Sequence, residues 1–465
     1  MGEDERYDAI VLGGGPAGLA AAWYAARDRR RVALIERADR VGGLAGSFEV
    51  AGVRVDHGSH RLHERTEPEL LADLRTLLGD ELQHRRRDGR IRLCERWVAF
   101  PLQAADLVTA VPPAFAARAA RDVATGPVRL RRGEDSFASR ARAGLGPTVA
   151  KAFYEPYARK LFGVEPSELS PELFRRRVGA RSGGGILRRV LSRNPAPGFW
   201  YPAGGFGRIP EAIADAAVGA GAVLRTRVAA VAIRPGPDGA TVELSDGATV
   251  RARRVLSTLP ARTTTGLYDP VHVPDRVAAA ADALTYRAAL LVYLVVGHRP
   301  YTTFDAHYFP ELDIPLTRLS EPTNYRTSRA DPVDRTVLCA EMPGSPDDAW
   351  WSLDAEALGR LVSGALVAQG LPDPDPTDVV VRRAEHVYPV YRRGHDGHQE
   401  VLESWADGRH ELVLFGRQPL FAHDNTHHAL AMGRGAASCL GPDGTFDAAR
   451  WRALRDGFRD HVVED

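Results

Sequence analysis

Cysteine, methionine and lysine are all scarce in this 465-residue chain, which has three, three and two of them. Cys94, Cys339 and Cys439 are scattered, odd in number and without a CxxC pair, so neither a disulfide framework nor a thiolate metal site is expected. None shows a base or cationic partner that would lower its pKa, and all three read as inert thiols in a reducing cytoplasm. A run of roughly eighteen apolar residues, enough to cross a bilayer, is also missing. So is a surplus of either charge. The 61 basic residues face 60 acidic ones for a net +1, which argues against a nucleic-acid-binding surface. Met1 to Arg6 is polar and enters an apolar segment directly, so no secretory signal is expected and the protein reads as soluble and cytoplasmic. With Lys151 and Lys160 the only lysines, arginine carries almost all the positive charge, and it suits bidentate contacts to phosphate or carboxylate.

What the chain does have is a glycine turn at its start. Gly13-Gly14-Gly15-Pro16-Ala17-Gly18 lies between an apolar strand ending at Leu12 and an alanine-rich helix, and a second apolar strand, Val32 to Ile35, ends at Glu36. This strand–turn–helix–strand context turns a GxGxxG match into a dinucleotide fingerprint. Gly13 is expected to make the tight turn, Gly15 to admit a pyrophosphate and Gly18 to let helix and strand pack. Pro16 and Ala17 open a helix whose free N–H groups and positive dipole end suit phosphate. Glu36, followed by Arg37, stands where a carboxylate accepts hydrogen bonds from ribose hydroxyls.

The rest of the chain is too long for one simple domain and reads as interleaved lobes. A second glycine turn, Val41-Gly42-Gly43-Leu44, precedes a hairpin about Ala51-Gly52. Helical spacing runs over 68–79, 209–218, 353–369 and 429–440, while 222–260, 285–345 and 412–416 read as strands. Residues 104–200 are Ala/Arg-rich and helical in pattern. The expected architecture is α/β. A Rossmann-like dinucleotide-binding domain is built from 1–103, 201–262 and 405–465. A substrate domain has a helical lobe at 104–200 and an antiparallel sheet with helices at 263–404.

Six short motifs in order carry a resemblance. They are the fingerprint with Glu36 and Gly42-Gly43-Leu44; Gly58-Ser59-His60-Arg61-Leu62-His63; Trp97 to Leu102; Tyr157-Ala-Arg159-Lys160-Leu-Phe162-Gly163 with Pro166 to Leu169; Leu316-Thr317-Arg318 with Glu321; and Gly416-Arg417 through Asn425. Together they resemble the FAD-dependent amine oxidase and protoporphyrinogen oxidase-like superfamily, and within it the UDP-galactopyranose mutase branch. The resemblance implies FAD as cofactor, in a Rossmann-like FAD-binding domain. Gly43, Leu44, Gly58, Ser59 and His60 would lie toward the flavin, Val228 would be a further cofactor contact, and Gly416, Arg417, Asn425, Thr426 and His427 would cover the isoalloxazine edge. Substrate contacts would be Arg318, Arg417, Tyr157, Arg159 and Arg181, with Arg177 and Arg181 four apart on one face if that stretch is helical.

Each of these residues has a plainer alternative. Arg318 could be a surface ion pair, and His60 could either tune the flavin and relay a proton or simply bond a loop carbonyl. His57 and His63 read as structural. His423, His427 and His428 cluster with Asp424, but no rigid element stands behind the spacing and the resemblance gives that loop to the flavin, so no metal site is expected.

The chain also departs from the mutase pattern. Leu316 and Phe162 replace a Tyr and a Trp, and Phe421 and His423 stand where the mutases hold a nucleotide diphosphate with tyrosines. Losing a hydroxyl donor from a buried anion site costs on the order of 1–3 kcal/mol. The leading reading is therefore an FAD-dependent oxidoreductase moving hydride from a small molecule to flavin N5 in a biosynthetic pathway. The alternatives are a sugar-nucleotide pyranose/furanose mutase using reduced N5 as nucleophile, a non-catalytic flavin binder, and a nicotinamide-only enzyme. A homodimer is compatible with each.

Overall fold

The computed structural model describes residues 6–100, 110–125, 135–178 and 198–463. Its first sheet is built on β1 (Arg6–Leu12) and β2 (Val32–Ile35), joined by helix α1 (Pro16–Arg27). Val223–Arg225, β2, β1 and Thr249–Ser257 run parallel in that order. Thr249–Ser257 pairs in its first half with the antiparallel hairpin Ala230–Gly236/Gly239–Leu244 and in its second half with parallel Leu412–Leu414. From Ala9 on, alternate residues of β1 enter different cores: Ala9 and Val11 join one cluster, Ile10 and Leu12 another. The near-continuous apolar sequence of these strands follows from a parallel sheet covered on both faces.

One face is covered by α1, Arg208–Gly219 and Thr426–Ser438. Here α1 and the closing helix approach through small residues: a Cβ on Gly433 would stand 2.1 Å from the Ala17 carbonyl oxygen. The other face is covered by Asp275–Ala283 and His395–Asp407, whose Val277, Ala280, Leu402 and Trp405 pack with Ile10 and Val255. These two helices lie within 263–404 yet serve the first sheet.

The second sheet has seven strands in the order Asp378–Pro389, Tyr286–Val296, Thr336–Gly344, Arg318–Ser320, Ala306–Tyr308, Gly89–Leu93 and Arg96–Phe100. Every pairing is antiparallel except Ala306–Tyr308 with Gly89–Leu93. The last two strands belong to the stretch expected to close the first dinucleotide-binding segment at 103, so the crossover between lobes comes earlier, before Gly89. A small sheet joins Leu62–His63, Gly198–Pro202 and Leu82–Arg86. Within 104–200 the described residues form the helices Pro113–Ala124, Phe137–Leu145, Glu155–Phe162 and Pro171–Val178 with a π-helical turn at Ala150–Tyr154, before the strand that starts at Gly198.

Candidate functional site

At the end of β1, Gly13 takes φ +102, and a Cβ there would meet Thr258 Oγ1 at 2.3 Å. A Cβ on Gly18 would come within 1.9 Å of the Gly13 carbonyl oxygen. At Gly15 the opposite holds: an added Cβ would meet no protein atom within 4 Å. Gly15 is also the N-cap of α1, without a side-chain cap and with no acidic residue in the first turn, so the helix presents its N–H groups and positive end to open space. The second glycine turn flanks the same space: Gly42 N–H donates to Gly14 O at 2.7 Å, and a Cβ on Gly43 would lie 3.5 Å from Gly15 Cα. Glu36 is fixed at its edge, accepting Gly14 N–H on Oε2 at 2.7 Å and Ala38 N–H on Oε1 at 2.8 Å. Each carboxylate oxygen keeps a second lone pair for a ribose hydroxyl. Val228 N–H donates to the Glu36 carbonyl at 3.1 Å, Leu44 follows in a short 3-10 turn, and Arg37 is exposed. Gly416 (φ +87) carries the closing segment so close to α1 that an added Cβ there would stand 2.9 Å from Ala17 Cβ. The space, the bare helix end and the edge carboxylate fit a dinucleotide.

The segment Asp56–His60 is held by groups far away in sequence. Buried Asp56 accepts from Ser47 Oγ at 2.6 Å, Phe206 N at 3.0 Å and Tyr201 OH at 2.5 Å, while its carbonyl accepts from Tyr293 OH. Ser59 N–H donates to Glu341 Oε1 at 2.7 Å. Glu341 also holds Arg318 by two bonds, Nε–Oε1 at 3.0 Å and Nη2–Oε2 at 2.8 Å, and Arg318 Nη2 reaches Ser59 O at 3.2 Å. Sequence reasoning missed Glu341 and the role of Asp56, since no local motif marks either one. His60 lies parallel to Phe206 with centroids 5.2 Å apart, and its Nε2–H donates to His57 O at 3.0 Å. Burial lowers its pKa, partly offset by Asp56. His60 is thus a neutral imidazole whose Nδ1 is the nitrogen left to accept a proton.

Other expected residues separate. Arg318, Arg417 and Arg177 all act electrostatically on Tyr388, whose phenol burial pushes well up. Arg417 donates Nη2–H to Val387 O at 2.6 Å, but its buried Nε has no hydrogen-bond partner, and burial lowers its pKa. Tyr157 lies under Arg177, whose Cζ is 5.9 Å from the ring centroid. Arg159 is exposed and paired with Glu165 at 3.1 Å. Arg181 lies outside the described residues. Lys160 donates to the carbonyls of Phe309 and Leu316, at 2.7 and 3.1 Å, and burial lowers it to about 7. Those bonds tie down the turn that leads into Arg318.

In the closing loop Phe421 is buried between Tyr391 (5.6 Å) and Tyr286 (5.1 Å). His423 Nε2 accepts from Arg177 Nη1 at 2.9 Å, and burial holds its pKa well down. Asn425 caps the closing helix together with His428; Thr426 and His427 follow in its first turn.

The sequence profile of the family described as flavin containing amine oxidoreductase matches residues 16–438. A phytoene dehydrogenase of Streptomyces griseus is 30% identical over 257 residues, covering 46% of this chain and 47% of that enzyme, so the match spans about half the length of that relative. A reduced UDP-galactopyranose mutase superposes with a TM-score of 0.82 at 21% identity, over 98% of this chain and 100% of that one. A candidate protoporphyrinogen oxidase from Exiguobacterium sp. gives 0.73 at 18% identity, over 94% and 98%. At these identities the two structures speak for the fold.

Proposed function

Because this chain belongs to the family of flavin-containing amine oxidoreductases, with FAD as its cofactor, we propose that it oxidises a small molecule held between the helical lobe and the second sheet. The observation that carries this reading is the Arg318–Glu341 pair. A guanidinium already forked onto a buried carboxylate has its charge met within the protein, which suits shaping a pocket better than neutralising a diphosphate. Phe421, packed in an aromatic stack with no hydroxyl, points the same way.

Bound FAD supplies the two-electron acceptor; the protein supplies position, a dry pocket and electrostatics. The bare N-terminus of α1 and the glycine turns would hold the pyrophosphate, and Glu36 the ribose. The tethers from Asp56 and Glu341 would keep His60 and Ser59 in place, and His60 Nδ1 would hold a substrate proton, neutral imidazole being the form able to accept one. The phenols of Tyr157, Tyr308 and Tyr388 around Arg318 would orient the substrate and help exclude water.

A second reading, a sugar-nucleotide mutase, is favoured by Arg417, whose unpartnered buried Nε would suit an anionic ligand. The two separate under anaerobic conditions. An oxidase or dehydrogenase bleaches its own oxidised flavin on meeting substrate, whereas a mutase works only after dithionite and returns an isomer. Isomerisation confined to the reduced enzyme would overturn the first reading.

A further inference from the structure

Asp424 and His428 bracket the N-cap of the helix Thr426–Ser438, and His461 lies in the coil after the last helix, Ala448–Phe458. Each offers one donor atom, and these atoms lie within 4.8 Å of one another. His461 Nδ1 is 2.8 Å from Asp424 Oδ2, and His428 Nδ1 is 3.9 Å from Asp424 Oδ1. The rings of His428 and His461 lie face to face, with centroids 4.1 Å apart and planes at 14°. The sequence spacing of 423–428 lacked a rigid element; the structure supplies the helix N-terminus and adds a third ligand from 37 residues away.

Two further imidazoles extend the group. His427 lies 3.9 Å from His428 between centroids, and His63 stacks on His427 at 5.7 Å. Buried His427 has an Nδ1 with no hydrogen-bond partner. Arg176 contacts Asp424 Oδ1 at 3.3 Å, but it is itself tied to Glu172 at 2.8 Å. Glu172 is shared in turn with Arg175 at 3.6 Å.

We propose that Asp424, His428 and His461 bind one borderline transition-metal ion of the zinc class. Two imidazole nitrogens and a carboxylate oxygen suit zinc, cobalt or nickel; calcium and magnesium call for mostly oxygen ligands. Ligand distances of about 2.0–2.2 Å require the stacked rings of His428 and His461 to turn their in-plane nitrogen lone pairs toward Asp424. The fourth position falls to water or to His427. Such an ion clamps the C-terminal coil onto the loop before the closing helix. The same coil is already anchored by Arg175 to Asp460 and by Val463 N–H to Arg176 O.

The test uses untagged, flavin-loaded protein, stripped with chelator and titrated with Co(II) and Zn(II). The expected result is one ion per chain, a visible Co(II) ligand-field band displaced by Zn(II), and affinity at least about tenfold weaker in His461→Ala. His398→Ala, altering an exposed histidine outside the group, should bind as the parent does. Flavin content, read in parallel, reports that His461→Ala is folded. Failure of the parent to bind either ion stoichiometrically overturns the proposal, as does unchanged binding in His461→Ala.

Discussion

Arg318 and Glu341 stand directly opposite one another on neighbouring antiparallel strands, and both carboxylate oxygens hold the guanidinium. A third bond, from Ser59 N–H to Glu341, ties the loop carrying His60 to the same pair. Glu341→Ala leaves Arg318 largely buried without its counter-charge, and urea unfolding should show a loss of about 3–5 kcal/mol. Glu341→Gln keeps an acceptor for Ser59 and should lose clearly less. Equal, small losses in both variants would mean that the pair carries little.

Gly15 and Gly18 should respond in opposite ways to an added side chain. Gly15 has φ −77 and ψ 177, which any residue adopts, and its Cβ would meet nothing. Gly15→Val should therefore leave the melting temperature of the flavin-free protein nearly unchanged while abolishing FAD uptake. Gly18→Ala puts a Cβ 1.9 Å from a backbone oxygen and should lower stability with or without flavin. Flavin absorbance and thermal unfolding on both variants check the contrast.

Arg417 combines a buried, unpartnered Nε with a lowered pKa and no carboxylate partner among the described residues. If an anionic substrate group meets it, Arg417→Met forfeits a charged hydrogen bond of about 1.5–3 kcal/mol. KM should then rise roughly ten- to a hundredfold, since each 1.4 kcal/mol is a factor of ten. An unchanged KM would remove Arg417 from the substrate pocket.

Acid sensitivity should come in part from His307. It is buried against Trp97 and Phe304, and burial, with Arg90 adding to it, lowers it from 6.5 to about 4. The folded state thus binds fewer protons than the unfolded one between those values, so stability is present above pH 6.5 and falls as pH drops toward 4. Thermal unfolding across that window should show a shallower decline for His307→Leu than for the parent.

Much of the candidate cofactor site was legible because it is local. The fingerprint from Gly13 to Glu36 sits in one strand–helix–strand unit, where glycine spacing and apolar runs speak directly. The pairing partners were not legible. Strands Gly89–Leu93 and Arg96–Phe100 look the same in sequence whichever sheet they join, and the helices Asp275–Ala283 and His395–Asp407 show an apolar face without saying what it covers. Glu341 was hidden because its meaning comes from strand register with Arg318, and His461 because a lone histidine in a coil carries no motif. Arg159 matches a motif position, while its exposure and its pairing with Glu165 come from the fold and carry no local pattern.

The most direct test is anaerobic mixing of the purified, oxidised protein with a panel of amines, polyenes and nucleotide sugars, followed through the flavin's visible absorption. An oxidoreductase should bleach in one stoichiometric step with a member of the panel and recover colour on admission of an electron acceptor. An oxidised flavin that no member bleaches, in an enzyme that isomerises a nucleotide sugar once dithionite has reduced it, would contradict the proposed function.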